Sequence, residues 1–161
     1  MIVLGVDPSL NATGLCVIRS INGTLSFIES CTLKMPANGN LSFQDKLLII
    51  YKKVVELVNK HNISVVFMEE TFVNMNSATS MKLSVARGVI MGALFSKELK
   101  IKEIPANVVK KSITGNGKAD KEQVMFMIKR ILPTANFATL DESDAAAIAV
   151  AGVLGVGLIV K

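Results

Sequence analysis

Asp7, Glu69, Asp141 and Asp144 each stand at the end of a segment that otherwise reads as buried core. Asp7 closes the apolar run 2–6 and Glu69 closes the run 65–68, while Asp141 and Asp144 open the helix-like stretch 145–151. A carboxylate beside a hydrophobic strand is costly unless something positive compensates it. Four that converge also raise one another's pKa. A hard divalent cation removes that conflict, and an oxygen-only ligand set suits Mg²⁺ or Mn²⁺. The chemistry suggested is metal-dependent phosphodiester hydrolysis with two ions per site. One ion lowers the pKa of a water, and the other stabilises the leaving 3′ oxygen. Asp7 is the expected bridging ligand, Glu69 the ligand of one ion, and Asp141 with Asp144 the completion of the shell. Glu70 is set aside because a continuing strand points it away from Glu69. Singly, each acid has a plainer role. Asp141 could be a helix N-cap and Asp144 a first-turn charge. Glu69 and Glu70 could be a polar strand end, and Asp7 a turn residue before Pro8. Their conjunction at element ends carries the functional reading.

The elements that must position these acids follow from pattern. Residues 2–6, 14–19 and 25–33 read as three antiparallel strands, with Asn22-Gly23 as the hairpin turn between the second and third. Ser42 with Asp45 marks a helix start, and Phe43, Leu47, Ile50, Tyr51, Val54, Val55 and Val58 recur at helical spacing up to about residues 59–62. His61 reads there as an ordinary exposed loop residue. A fourth strand over 65–68 precedes a polar break and a long helix over 80–99. A short strand (101–104), helices over 105–113 and 119–132, and a final helix from about Asp141 complete the order. The apolar, glycine-spaced tail 152–160 has no firm assignment. The expected fold class is α/β: a mixed five-stranded sheet with an antiparallel start and parallel additions, flanked by helices. The length of 161 residues suits one domain spanning 1–161.

In the long helix, Ser84, Gly88 and Gly92 recur every four residues and let another backbone approach closely. Either the chain's own sheet packs there, or a second copy does, giving a homodimer. Net charge is +5, and setting the four site acids aside leaves nine of the 13 acidic groups against 18 basic ones. That surplus favours a polyanionic partner. Nine of the basic residues and only four acids lie between Lys97 and Arg130. Lys110, Lys111, Lys118 and Lys121 flank the Gly115-Asn116-Gly117 turn as candidates for DNA-backbone contacts. Lys129 and Arg130 read as a solvated helix face. Phe72, just past the fourth strand, could wedge between base pairs, although such a ring is more often a core anchor. With no Trp and one Tyr, base-stacking platforms are disfavoured. Cys16 and Cys31 lack CxxC spacing and read as free thiols in strands. A core strand directly after Met1 leaves no room for a signal peptide. With no apolar run of membrane-spanning length, no membrane partner is expected, and the compartment is the cytoplasm.

Several motifs, in this order, are similar to one known family. They are Ile2-Val3-Leu4-Gly5-Val6-Asp7-Pro8-Ser9 with Thr13-Gly14, then Met68-Glu69-Glu70-Thr71-Phe72, then Met81-Lys82-Leu83 with Ala86-Arg87-Gly88. Val109-Lys110-Lys111-Ser112-Ile113-Thr114-Gly115, Lys118-Ala119-Asp120-Lys121-Glu122-Gln123-Val124 and Asp141-Glu142-Ser143-Asp144-Ala145 follow. Together they resemble the RuvC-type Holliday-junction resolvases of the RNase H-like superfamily. The resemblance implies an RNase H-like nuclease domain, a homodimer, and Mg²⁺- or Mn²⁺-dependent paired nicking of four-way DNA junctions. It maps the family's acidic quartet onto Asp7, Glu69, Asp141 and Asp144. A junction-contacting aromatic maps onto Phe72, family basic positions onto Lys110 and Lys121, and the dimer helix onto 80–99. Ser9 departs from the family's usual glycine, and residues 9–12 lack its basic residue. A compact chain of this kind is compatible with a phage origin, in which case the compartment is the host cytoplasm. Competing readings are a nuclease for other branched DNA or structured RNA, and a non-catalytic branched-DNA-binding protein, against which the intact quartet argues. An actin-like ATPase shares the strand–Asp–turn start but needs a second domain. Nothing in the chain identifies a helicase partner.

Overall fold

A computed structural model describes residues 1–9, 11–34, 41–70 and 78–155. Five strands, β1 (Ile2–Asp7), β2 (Ala12–Ile21), β3 (Thr24–Lys34), β4 (Val65–Glu70) and β5 (Ile101–Pro105), form one sheet in the order β3-β2-β1-β4-β5. β1 pairs antiparallel with β2 and β2 with β3, while β4 is parallel to both β1 and β5. The expected mixed α/β sheet is present. Asn22 (φ 48°) and Gly23 (φ 82°) both take the positive φ that a two-residue turn of this hand demands.

The helices are α1 (Phe43–His61), α2 (Ala78–Phe95), α3 (Ala106–Thr114), α4 (Lys121–Ile131) and α5 (Leu140–Val153). Alternation along the strands sorts the core into two layers. Leu4, Val6, Val66 and Met68 pack with Ile50, Val54 and Leu57 of α1 and Ala86, Ile90 and Leu94 of α2. Val3, Cys16 and Phe67 face Val109 of α3, Val124 and Ile128 of α4, and the alanines of α5. The same parity sends Asp7 and Glu69 toward α5. It sends Glu70 toward the α1/α2 face, because β4 runs on through Glu70.

α5 lies very close to the sheet. A Cβ on Gly5 would stand 2.0 Å from the Ala145 carbonyl oxygen, and one on Gly14 would stand 2.1 Å from that of Asp141. Glycine in the strands and alanine in the helix therefore set the depth at which the two aspartates of α5 enter. Gly152 and Val153, from the unassigned tail, belong to α5, and Gly152 gives room to the Phe67 ring. Residues 156–160 of that tail lie outside the described residues.

Several expected boundaries shift for local reasons. α2 stops at Phe95 rather than 99, because Glu98 adopts a left-handed φ of 56° and Leu99 turns back to donate to the Leu94 carbonyl. α4 begins at Lys121 because Asp120 is its cap, in a reciprocal box with Gln123. Ser42 and Asp45 form the same box on α1. His61 is not an exposed loop residue. It ends α1 half-buried, with Nε2 2.9 Å from the Glu29 carboxylate on β3, which Lys60 also contacts. Sequence alone could not bring Glu29 to it. Cys16 is buried and Cys31 half-buried, both as free thiols. Among the described residues no helix is long and apolar enough to cross a membrane.

Gly14→Ala is expected to lower stability by about 1–3 kcal/mol, since neither backbone can yield without moving a core helix. Thermal unfolding should show the loss, and a wild-type Tm would contradict this close packing.

Candidate active site

Asp7 ends β1 on the face that α5 covers, and Asp141 and Asp144 occupy the first turns of α5. One carboxylate oxygen from each of the three lies within 4.8 Å of the others. Glu69, on the neighbouring parallel strand, lines the same cleft of about 170 Å³ with Asp7, Lys110, Lys121 and Asp144. Its carboxylate stands outside the tight group of three. The four acids expected from sequence thus meet in one place, three closely and Glu69 beside them.

The helix is held by groups that do no chemistry themselves. Thr139, not Asp141, is the N-cap of α5, accepting from the Glu142 backbone N–H at 3.2 Å. Asp141 is thereby released from capping. The Glu142 side chain is only 6% exposed and turns inward, accepting from the Ser30 hydroxyl at 2.7 Å and the Ala138 N–H at 3.2 Å. Thr32 on β3 hydrogen-bonds the Thr139 hydroxyl. β3 therefore anchors the turn that presents both aspartates. Sequence reasoning gave Glu142, Thr139, Ser30 and Thr32 no role. The Thr-x-x-Glu spacing of 139–142 was the available signal for a helix start, whereas the β3 partners carried none. On β4, Arg87 of α2 donates to the Glu69 carbonyl and also pairs with Glu103.

Burial first, and crowding after it, raise the pKa values of Asp7, Glu69 and Asp144. In the metal-free protein, burial pushes Asp7 up to about 8, followed by the charges of Glu69 and Asp144; Asp141 adds to this and Lys121 opposes it. Glu69 is raised by burial and then by Asp144. Asp144 is raised by burial, although Lys121 works against the shift. The Lys121 ammonium lies 2.6 Å from Asp144 and 3.5 Å from Asp141. Burial alone would lower it, but the bond to Asp144 and the surrounding acids hold it raised.

Lys121 is thus a counterion of the acidic group, a pairing that its sequence reading as a phosphate contact did not show. Lys110 lines the cleft, while Lys111 and Lys118 are exposed on the same α3–α4 side. Phe72 lies outside the described residues. The donor set fits a hard divalent cation: oxygen atoms only, closely gathered, mutually repelling, and now offset by one ammonium.

Ser84, Gly88 and Gly92 face solvent, and nothing among the described residues stands within 4 Å of a Cβ built on either glycine. Packing of this stripe against the chain's own sheet is therefore excluded.

A family model described as crossover junction endodeoxyribonuclease RuvC matches residues 3–152. The crossover junction endodeoxyribonuclease RuvC of Rickettsia felis is 39% identical over 150 residues, covering 92% of this chain and 95% of the relative. That of Rickettsia typhi is 37% identical, covering 92% and 94%. In fold, the chain is similar to T. thermophilus RuvC solved in complex with Holliday junction substrate. That match has a TM-score of 0.87 and 23% identity, covering 98% of this chain and 96% of the other.

An unfolded Asp7 ionises near 3.8 and the folded one near 8. The folded state holds this proton more tightly, so the metal-free protein loses stability as pH rises through that window. Asp7→Asn removes the penalty. In chelator its Tm should exceed that of wild type by several degrees at about pH 9, with the gap closing toward about pH 4. A gap independent of pH would contradict the crowding described.

Proposed function

Because the chain belongs to the crossover junction endodeoxyribonuclease RuvC family, we propose that it resolves four-way DNA junctions by metal-dependent paired nicking. The observation that carries this reading is the meeting of Asp7, Asp141 and Asp144 within 4.8 Å at a cleft that Glu69 shares. The work is DNA recombination and repair, assigned to the cytoplasm, and residues 1–161 act as one nuclease domain.

In this reading Asp7, Glu69, Asp141 and Asp144 hold Mg²⁺ or Mn²⁺. Among the other carboxylates, Glu69 perturbs Asp7 most and Asp144 next, which supports Asp7 as the ligand shared by two ions. Bound there, such ions supply a water of lowered pKa and neutralise charge building on the phosphate. The residues of the chain do the rest. Arg87 fixes the Glu69 backbone, Glu142 fixes the turn that carries Asp141 and Asp144, and the buried walls limit water around the acids. Lys110 and Lys121 meet the phosphate flanking the cut. Lys111 and Lys118, exposed around the α3–α4 turn, contact phosphates further along. Phe72, which follows β4, is the proposed wedge at the junction.

Two nicks placed symmetrically need two sites, and α2 suits the pairing. Its exposed side carries Met81 (72% exposed), Ser84, Val85, Gly88, Gly92 and Phe95 (59% exposed). Lys82 and Arg87 are its only charged residues. A largely apolar surface with small residues at its centre supports a symmetric helix pair.

The test is incubation with a four-way DNA junction, a fork, a linear duplex and a structured RNA, each with Mg²⁺, with Mn²⁺ and with EDTA. Paired nicks in the junction alone, absent in EDTA, are expected. Cutting of RNA, or binding with no cutting in either metal, would overturn the proposal. Asp7→Asn and Glu69→Gln should each keep junction binding and lose nicking in both metals, because each removes a charged ligand oxygen from the site. Wild-type cutting by either variant would show that the site is elsewhere. Gly88→Trp should leave the folded protomer intact, since among the described residues nothing lies within 4 Å of a Cβ there, yet convert a dimer to a monomer in sedimentation. An unchanged mass would remove α2 from the interface.

A further inference from the structure

On the sheet face opposite the acids, the amino-terminal ends of α1 and α2 together with Asn11, just before β2, line a separate cavity of about 310 Å³. Asn11, Leu41, Phe43, Lys46, Thr79 and Lys82 line it. The geometry points to a second phosphate site here, one that grips the backbone of the same DNA away from the bond being cut.

Charge is the first argument. Lys46 and Lys82 both reach this cavity, and among the described residues neither has an ion-pair partner. The nearest acid in sequence, Asp45, is committed to the Ser42 hydroxyl and N–H. Among the described residues, the lining of the cavity contains no Asp or Glu. Two cations with no ion-pair partner among the described residues, joined by a hydroxyl and an amide, are a natural receptor for a phosphate oxyanion.

Order is the second argument. The Lys82 ammonium lies 6.0 Å from the centre of the Phe43 ring, which steers its stem across the cavity while the charge stays solvated. A lysine held in this way loses less freedom on binding than one waving from a helix.

Placement is the third. β1 ends in Asp7 and leads into the segment of Asn11, while β4 ends in Glu69-Glu70 and leads into α2 with Thr79 and Lys82. Both sites therefore lie at the same end of the sheet, one on each face of it. A strand or arm that leaves the cleft over this end meets Lys46 and Lys82 on the far side. None of the four lysines assigned above belongs to this cavity. The inference rests on the junction-resolving reading for its ligand, but a separate measurement decides it.

That measurement is binding of a labelled four-way junction in EDTA across a range of salt. Three proteins are compared: wild type, Lys46→Gln/Lys82→Gln, and a control with the same net charge, Lys52→Gln/Lys129→Gln, altered on exposed helix faces. Loss of one backbone phosphate contact flattens the slope of log affinity against log salt by about 0.9. The first double variant should show that change with roughly tenfold weaker binding at low salt, and Lys46→Arg/Lys82→Arg should restore both. The control should match wild type. Wild-type affinity and slope in Lys46→Gln/Lys82→Gln, or an equal change in the control, would overturn the site while leaving junction cleavage untouched. Failure of wild type to nick would count against the nuclease reading alone, because the slope still reports the cavity.

Discussion

Mutual repulsion among Asp7, Glu69, Asp141 and Asp144 is the constraint around which this fold is arranged. Left unopposed in a half-buried cleft, Asp7, Glu69 and Asp144 hold protons more tightly than free carboxylates do, Asp7 up to about 8. The fold pays for their approach through rigid packing: Gly5 and Gly14 in the strands admit α5 to within contact of the backbone. Larger side chains would hold the helix off and let the acids relax apart. Lys121 supplies the only ammonium paired with the group among the described residues. A divalent cation would replace that partial neutralisation with a fuller one.

Positioning falls to residues outside the acidic group. Thr139 and the inward-turned Glu142 fasten the first turn of α5 to Ser30 and Thr32 of β3, so an outer strand sets the pose of two aspartates on a helix. Arg87 does a similar service for Glu69 from the opposite layer. Sites built this way keep their geometry because each reactive group hangs from a rigid element with its own partners. Apart from Lys121, the described cations lie around the acids rather than among them. Lys110 lines the cleft, Lys111 and Lys118 are exposed beside it, and Lys46 and Lys82 stand on the far face. On the proposed reading, a polyanion is held at several points while the reacting phosphate alone meets the carboxylates.

Much of this was legible in the chain. The strand and helix order, the Asn22-Gly23 turn and the Ser42–Asp45 cap are local properties, written in periodicity and in side chains that bond their own backbone. The four acids were visible because polar residues that interrupt apolar runs are conspicuous. Legibility failed where a residue's role depends on a distant partner. His61 looked exposed until β3 brought Glu29 against it. Lys121 read as one of four phosphate-contact candidates beside the Gly115-Asn116-Gly117 turn, and only packing of Val124 and Ile128 of α4 into the α5 layer placed it at Asp144. Glu142 had no assigned role until the fold brought the Ser30 hydroxyl and the Ala138 N–H to its carboxylate.

The amino-acid order by itself determined the kind of each element, the parity that puts Asp7 and Glu69 on one face, and the chemistry that clustered oxygens can support. These follow from the two-residue and 3.6-residue repeats and from the valence of the side chains, which need no knowledge of what lies across the fold. Tertiary structure alone decided which three carboxylates approach within 4.8 Å and which stands aside, and which lysine neutralises them. It also decided that the small-residue stripe of α2 faces outward. Those outcomes depend on strand order and on the depth of one helix against the sheet, set by the sum of many packing contacts.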